Sequence, residues 1–170
     1  MGTRNLIEVK YKGETKVAQY GQWNGYPTGQ GADIARFLHS GYDHGKFFEA
    51  LSKCRFMGEK DNGLFDALNA LPEEDWKKAC PQFSRDTGAF VLWLIYGSRG
   101  RGLLLKDNSE FKNDYVFCEY NYLIDMDSKT VSVNECRPIP FAEWTEELMG
   151  RMKEDGIDAA AGKVGMSDGN

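Results

Sequence analysis

The chain has 170 residues and a mass of 19.2 kDa, the size of one domain or of one domain with a tail. Lys and Arg total 21 against 26 Asp and Glu, a net charge of −5, which argues against non-specific nucleic-acid binding because that needs a basic surface to displace counterions. No apolar stretch approaches the ~20 residues of a transmembrane helix, Met1–Leu6 lacks an apolar signal region, and Cys54, Cys80, Cys118 and Cys136 fall in no C-x-x-C pair. The expectation is a cytoplasmic protein with reduced cysteines, no membrane partner, no metal and no cofactor.

Leu6–Tyr11 and Thr15–Tyr20 read as a hairpin turning at Lys12-Gly13-Glu14. Thr3, Asn5, Ile7, Val9 and Tyr11 share one face. A three-residue turn matches the Ile7/Val9 face to Val17 and Gln19, whereas a two-residue turn swaps the faces; both registers stay open. Gly21–Gly31 holds four glycines and reads as a loop. Helices are expected over Asp33–His39, Lys46–Cys54 and Leu64–Leu71, with a fourth opening at Pro72-Glu73-Glu74. A further apolar helix runs through Tyr96, and Ser84–Thr87 offer caps for it. Tyr115–Asp125 and Thr130–Glu135 read as a second hairpin, and Phe141–Met152 as a last amphipathic helix. From Lys153 the composition turns to Gly, Ala, Asp and Ser. Residues 1–152 are therefore expected to form a single domain, and 153–170 a flexible tail. Grouped strands and grouped helices imply an α+β fold of antiparallel hairpins packed with helices.

The most unusual segment is the loop. Gln22, Trp23, Asn24, Tyr26, Thr28 and Gln30 are interleaved with glycines, which let a backbone approach a ligand closely. The loop runs into a helix start near Asp33, where free N–H groups and the positive dipole end suit a phosphate or carboxylate. It lacks the Gly-Lys-Ser/Thr ending of a Walker loop. The other reading is a loop folded on its own aromatics. Thr3, Arg4 and Asn5 either line a pocket at the sheet's end or are solvated at a loose terminus. Arg85 either belongs to a cap with a surface ion pair beside Asp86 or points its fork at an anion. Glu119 needs a partner such as Arg4 or Arg85 if its strand face is core, and needs none if that face is solvated. His39 and His44 lack metal-ligand spacing.

Gly2-Thr3-Arg4-Asn5, the run Ala18–Gly31, Ser84-Arg85-Asp86-Thr87-Gly88 and Cys118-Glu119-Tyr120 resemble a family of functionally uncharacterised phage and bacterial proteins. Its members carry an N-terminal GTRN and a QWDGYPSGQG-like loop, with Asp and Ser where this chain has Asn24 and Thr28. The opening is also similar to N-terminal-nucleophile hydrolases. Gly2-Thr3 resembles their cleaved junction, and Val17-Ala18-Gln19 stands where their second strand carries Ala-x-Asp. That second resemblance implies a layered α/β sandwich with Thr3 as nucleophile. Thr3 would have to become the first residue, because the free α-amine is the general base in such enzymes.

Three functional readings follow. The first is a binding module for a polar, nucleotide-derived ligand, built from Thr3, Arg4, Asn5, Gln19, Gln22, Trp23, Asn24, Tyr26, Thr28, Gln30, Arg85 and Glu119. Arginines and loop amides would hold phosphates while Trp23 or Tyr26 stacks a ring. The phage resemblance implies a counter-defence role, sequestering an immune signal. The second is a hydrolase using Thr3, with Asn5, Gln19 or Asn24 as oxyanion donors. The third is an inhibitor of a host enzyme that docks through the Trp23–Tyr26 surface. Ligand identity and homo-oligomerisation stay open.

Overall fold

A computed structural model describes residues 2–165. The fold is α+β. Strands β1 (Asn5–Tyr11), β2 (Glu14–Gly21), β5 (Tyr120–Asp125), β6 (Thr130–Val133) and β7 (Ile139–Pro140) form a five-stranded sheet in the order β2-β1-β5-β6-β7. A small second sheet pairs β3 (Arg55–Phe56) with β4 (Leu104–Leu105). The helices are α1 (Ala32–Leu38), α2 (His44–Lys53), α3 (Asn62–Asn69), α4 (Glu73–Ala79), α5 (Val91–Tyr96), α6 (Glu146–Asp155) and α7 (Ile157–Gly162). No helix among the described residues is long and apolar enough to cross a membrane.

Each hairpin is antiparallel, but the two join through a parallel pairing of β1 with β5, Asn5 opposite Tyr120 and Val9 opposite Ile124. The helices between β2 and β5 return the chain to the same end of the sheet, which is what a parallel pair requires. Ile7, Val9, Val17, Tyr122, Ile124, Val131 and Val133 make one apolar face. It packs against Phe37, Phe47, Leu51, Leu92, Ile95, Trp144 and Met149 from the helices. The other face carries Leu6, Glu8, Ala18 and Tyr20. It is crossed by residues 107–113, where Asn108 N donates to Ala18 O at 3.0 Å and Phe111 meets the Tyr20 ring edge-on at 4.9 Å.

The register of the first hairpin combines both expectations. The turn is the two-residue kind: Tyr11 faces Glu14, and Lys12 and Gly13 take φ of 52° and 76°. That alone would swap faces, yet Val9 lies opposite Val17. Lys16 is the extra residue of a bulge between the Lys10–Thr15 and Val9–Val17 pairs. The bulge shifts the pairing by one and restores the apolar match.

Four boundaries differ from expectation by more than two residues; the last helix, expected from Phe141, begins at Glu146 after a tight turn over Phe141–Glu143. The strand expected from Tyr115 begins at Tyr120. Asp114 Oδ1 accepts from Val116 N at 3.2 Å and from Phe117 N at 3.1 Å, coiling the chain there and leaving Tyr115 and Val116 exposed. Ser84 and Thr87 do not cap α5. Ser84 Oγ accepts from Asp86 N at 3.1 Å, Thr87 Oγ1 donates to Pro81 O, and a tight turn over Gly88–Phe90 leads into the helix. The segment from Lys153, expected to be a flexible tail, continues α6 to Asp155 and then forms α7, burying Ala160, Ala161 and Val164. Its small side chains allow close approach to the core. Residues 166–170 of that expected tail lie outside the described residues.

Candidate functional site

The Gly21–Gly31 loop closes over the N-terminal end of β1 and is anchored from below. Asn5, fully buried, donates from Nδ2 to Trp23 O at 3.1 Å and to Thr3 O at 3.3 Å. Gln30, also buried, donates from Nε2 to Trp23 O at 3.0 Å and accepts from Ala89 N at 2.8 Å. The Tyr122 hydroxyl donates to Gly25 O at 2.5 Å, and Trp144 Nε1 donates to Gly31 O at 3.0 Å. Burial holds the Tyr122 phenol well above its ordinary pKa, so it remains a donor. Gly25 N donates to Thr3 O at 2.9 Å, and Gln22 N to Arg85 O at 2.8 Å.

Glycine is required where these segments touch. A Cβ on Gly25 would lie 2.7 Å from Thr3 O, and one on Gly29 would lie 2.2 Å from Asn24 O. The loop's second half, Pro27–Gly31, coils into a wide helical turn that runs straight into α1. The helix start expected near Asp33 is therefore not open to an anion. Gly29 N and Gln30 N already bond to Tyr26 O and Asn24 O, and Asp33 instead pairs with Arg36.

The predicted residues divide by direction. Asn5, Gln19 and Gln30 face inward, and their side-chain amides hold backbone; Gln19 Nε2 donates to Gln82 O at 3.1 Å. Gln22 is half-buried and its Oε1 accepts from the Tyr20 hydroxyl at 2.5 Å. Thr28 is half-buried on the helical turn. Trp23 and Tyr26 remain 43% and 41% exposed. Trp23 Nε1 donates to Asp86 Oδ1 at 2.7 Å, and the Tyr26 hydroxyl donates to Asn24 Oδ1 at 3.0 Å. Asn24 holds a left-handed φ of 55°, which asparagine tolerates better than most residues. Arg85 is exposed on the neighbouring turn. Arg4 places its guanidinium 4.7 Å from the Phe117 ring centroid, and the Arg4 backbone N–H donates to Glu119 Oε2 at 3.0 Å. Glu119 is exposed, so it finds its partner at a rim and not in the core.

Asp86 is the anchor that the sequence reading left as a cap. It accepts from Trp23 and from Lys77 Nζ at 2.9 Å, and the Lys77 ammonium, then the indole N–H, draw its pKa below the ordinary carboxylate value. Two site residues carry no local signal: Tyr122, a strand residue that reaches under a distant loop, and Phe117, a coil residue whose ring meets Arg4. The four thiols are free. Cys118, closest to the rim, is pushed up to about 11 by burial and by Asp114 and Glu8, which makes it a poor nucleophile.

The fold and this end of the sheet define an α+β protein whose glycine-aromatic loop is fixed by buried amides and presents rings outward. Comparison with protein families, with curated proteins and with solved structures finds no match to this chain.

Proposed function

We propose that the protein is a binding module for a small, polar, nucleotide-derived ligand held at the N-terminal end of β1. The observation that carries this reading is that Trp23 and Tyr26 stay over two-fifths exposed, at 43% and 41%, on a loop anchored by Asn5, Gln30 and Tyr122. Rings tethered at a surface by Asp86 and Asn24 can stack on a ligand with little further loss of freedom. Arg4 and Arg85 supply guanidinium forks for phosphate on the flanks, and Glu119 offers an acceptor for a sugar hydroxyl.

Binding without bond cleavage is favoured over hydrolysis at Thr3. Of the three candidate oxyanion donors, the amides of Asn5 and Gln19 are already committed to Thr3, Trp23, Gln82 and Ser84 carbonyls, which leaves Asn24 alone, on the exposed side of the loop. Sequestration of a nucleotide signal, as the phage resemblance implies, fits a site that holds its ligand intact. Isothermal titration with a panel of cyclic dinucleotides and ADP-ribose derivatives tests the reading. One member should bind stoichiometrically and be recovered unchanged by mass spectrometry. Trp23→Ala should weaken it by about tenfold or more, the loss expected for a stacked ring, while circular dichroism shows the fold kept. Silence across the panel, or conversion of the bound molecule, overturns it.

A further inference from the structure

A second feature lies at the other end of β1. Phe48 of α2 stacks on Tyr11 at 5.0 Å, about 20 Å from Asn5 at ~3.3 Å per strand residue. Beside it, α2 and the turn after α5 enclose a cleft of about 660 Å3 lined by Lys46, Glu49, Tyr96, Gly97, Arg99 and Gly100. That volume is in the range of small-molecule sites. Asp43 N donates to the Tyr96 hydroxyl at 3.1 Å, which ties the start of α2 to the end of α5 and sets the width of the cleft.

Arg99 takes a φ of 56° in this turn, a left-handed conformation in which arginine is uncommon and which a surrounding structure must impose. The surroundings do impose it. Gly97 N donates to Trp93 O at 2.8 Å, Arg101 N to Ser98 O at 3.2 Å, and Gly102 N to Ser98 Oγ at 3.0 Å. Gly100 follows at φ 79°, and a Cβ there would lie 2.9 Å from the Glu49 carboxyl carbon. Glu49 is the one carboxylate in the lining, and Lys53 Nζ offsets it at 3.3 Å. Lys46 and Arg99 form no ion pair among the described residues. A helix C-terminus attracts cations, but that attraction does not require a strained arginine. In a chain of net charge −5, two cations that form no ion pair line one open cleft together with the Tyr96 ring.

We infer that Lys46 and Arg99 form a second binding site, for the phosphate group of a small molecule, with Tyr96 as its apolar wall. The site stands independently of the one at the Trp23 loop. The test is amide NMR of the full chain at constant ionic strength, titrated with inorganic pyrophosphate and, separately, with adenosine 5′-monophosphate. Saturable shifts are expected at Gly97 and Gly100. Arg99→Gly relieves the left-handed strain, so it should keep or raise the melting temperature while abolishing those shifts. Lys46→Ala should weaken binding by about tenfold or more, as loss of a charge-assisted bond does. Arg101→Ala, on the same turn but outside the lining, should bind like the parent. Stronger binding of the nucleotide assigns a phosphate ester, and stronger binding of pyrophosphate assigns an inorganic anion; either supports the site. No saturable shift with either probe, undiminished binding by Arg99→Gly, or an equal loss in Arg101→Ala overturns it.

Discussion

The buried side-chain amide of Asn5 donates to the Trp23 carbonyl at 3.1 Å, so a residue inside the sheet fixes the backbone of a ring that faces solvent. Gln30 donates to the same carbonyl, and Gly25 N shares the Thr3 carbonyl with Asn5. Asn5→Ala therefore leaves neither acceptor orphaned. It should cost about 0.5–1.5 kcal/mol, the net worth of a hydrogen bond whose acceptor keeps a second donor, read by urea unfolding. Gly25→Ala forces a Cβ to 2.7 Å from Thr3 O and should cost at least as much. Both variants should speed amide exchange across residues 22–30. Unchanged exchange in Asn5→Ala would show that the loop is held by other bonds.

The bulge at Lys16 makes an asymmetric prediction about chain length. Deleting Lys16 leaves Lys10 opposite Thr15 and Val9 opposite Val17, a regular ladder with every side chain on its present face. Deleting Val17 in its place brings Lys16 opposite Val9, on the face that packs against the helices. The first deletion should fold with a melting temperature near that of the parent, and the second should fail to fold. Circular dichroism and thermal melts distinguish them, and equal behaviour would refute the register argument.

Glu8 should make stability depend on pH in an identifiable direction. Its side chain is 7% exposed, and Lys112 Nζ reaches it only at 3.5 Å. Burial raises its pKa above the ordinary 4.5, and Lys112 only partly opposes this. A folded-state value above the unfolded one means that the protonated form is favoured by folding. That advantage is fully present below 4.5 and is lost as pH rises through the raised value. Glu8→Gln, neutral throughout, should melt higher than the parent at pH 7. The gap should shrink toward pH 4. A gap that is constant across that range would rule out Glu8 as the titrating group.

Helix α7 is part of the core. A chain ending at Asp155 would lose the burial of Ala160, Ala161 and Val164, which are 2%, 1% and 8% exposed. At ~0.8 kcal/mol per buried methylene-sized group, the loss should be about 2–4 kcal/mol. Denaturant midpoints of the shortened and full chains measure it directly. Equal midpoints would show that α7 contributes nothing to stability.

Much of the local structure was legible in the residues. The alternation of Ile7, Val9 and Tyr11 marked the helix-facing side of β1, and the apolar positions Phe47, Ala50 and Leu51 marked the buried face of α2. The glycine-aromatic composition of 21–31 marked the loop as unusual. Which of its polar residues turn inward was not legible, because the groups that decide it come from elsewhere in the chain. Tyr122 is 97 positions from Gly25, and Ala89 is 59 positions from Gln30. The alanines of 159–161 read as tail composition because a small apolar residue carries little signal until a neighbour closes on it.

The residues alone specify the two hairpins, helices α1 to α6 and the apolar faces of β1 and α2, since backbone periodicity and side-chain chemistry act over a few residues; they do not specify α7 or the two-residue strands β3, β4 and β7. Packing between distant segments sets the parallel junction of β1 with β5, the correcting bulge at Lys16 and the sorting of loop side chains into buried anchors and exposed rings. Pairing partners and buried hydrogen bonds are chosen by the shape and polarity of a core assembled from distant segments, and the lowest-energy choice exists only once those segments have met.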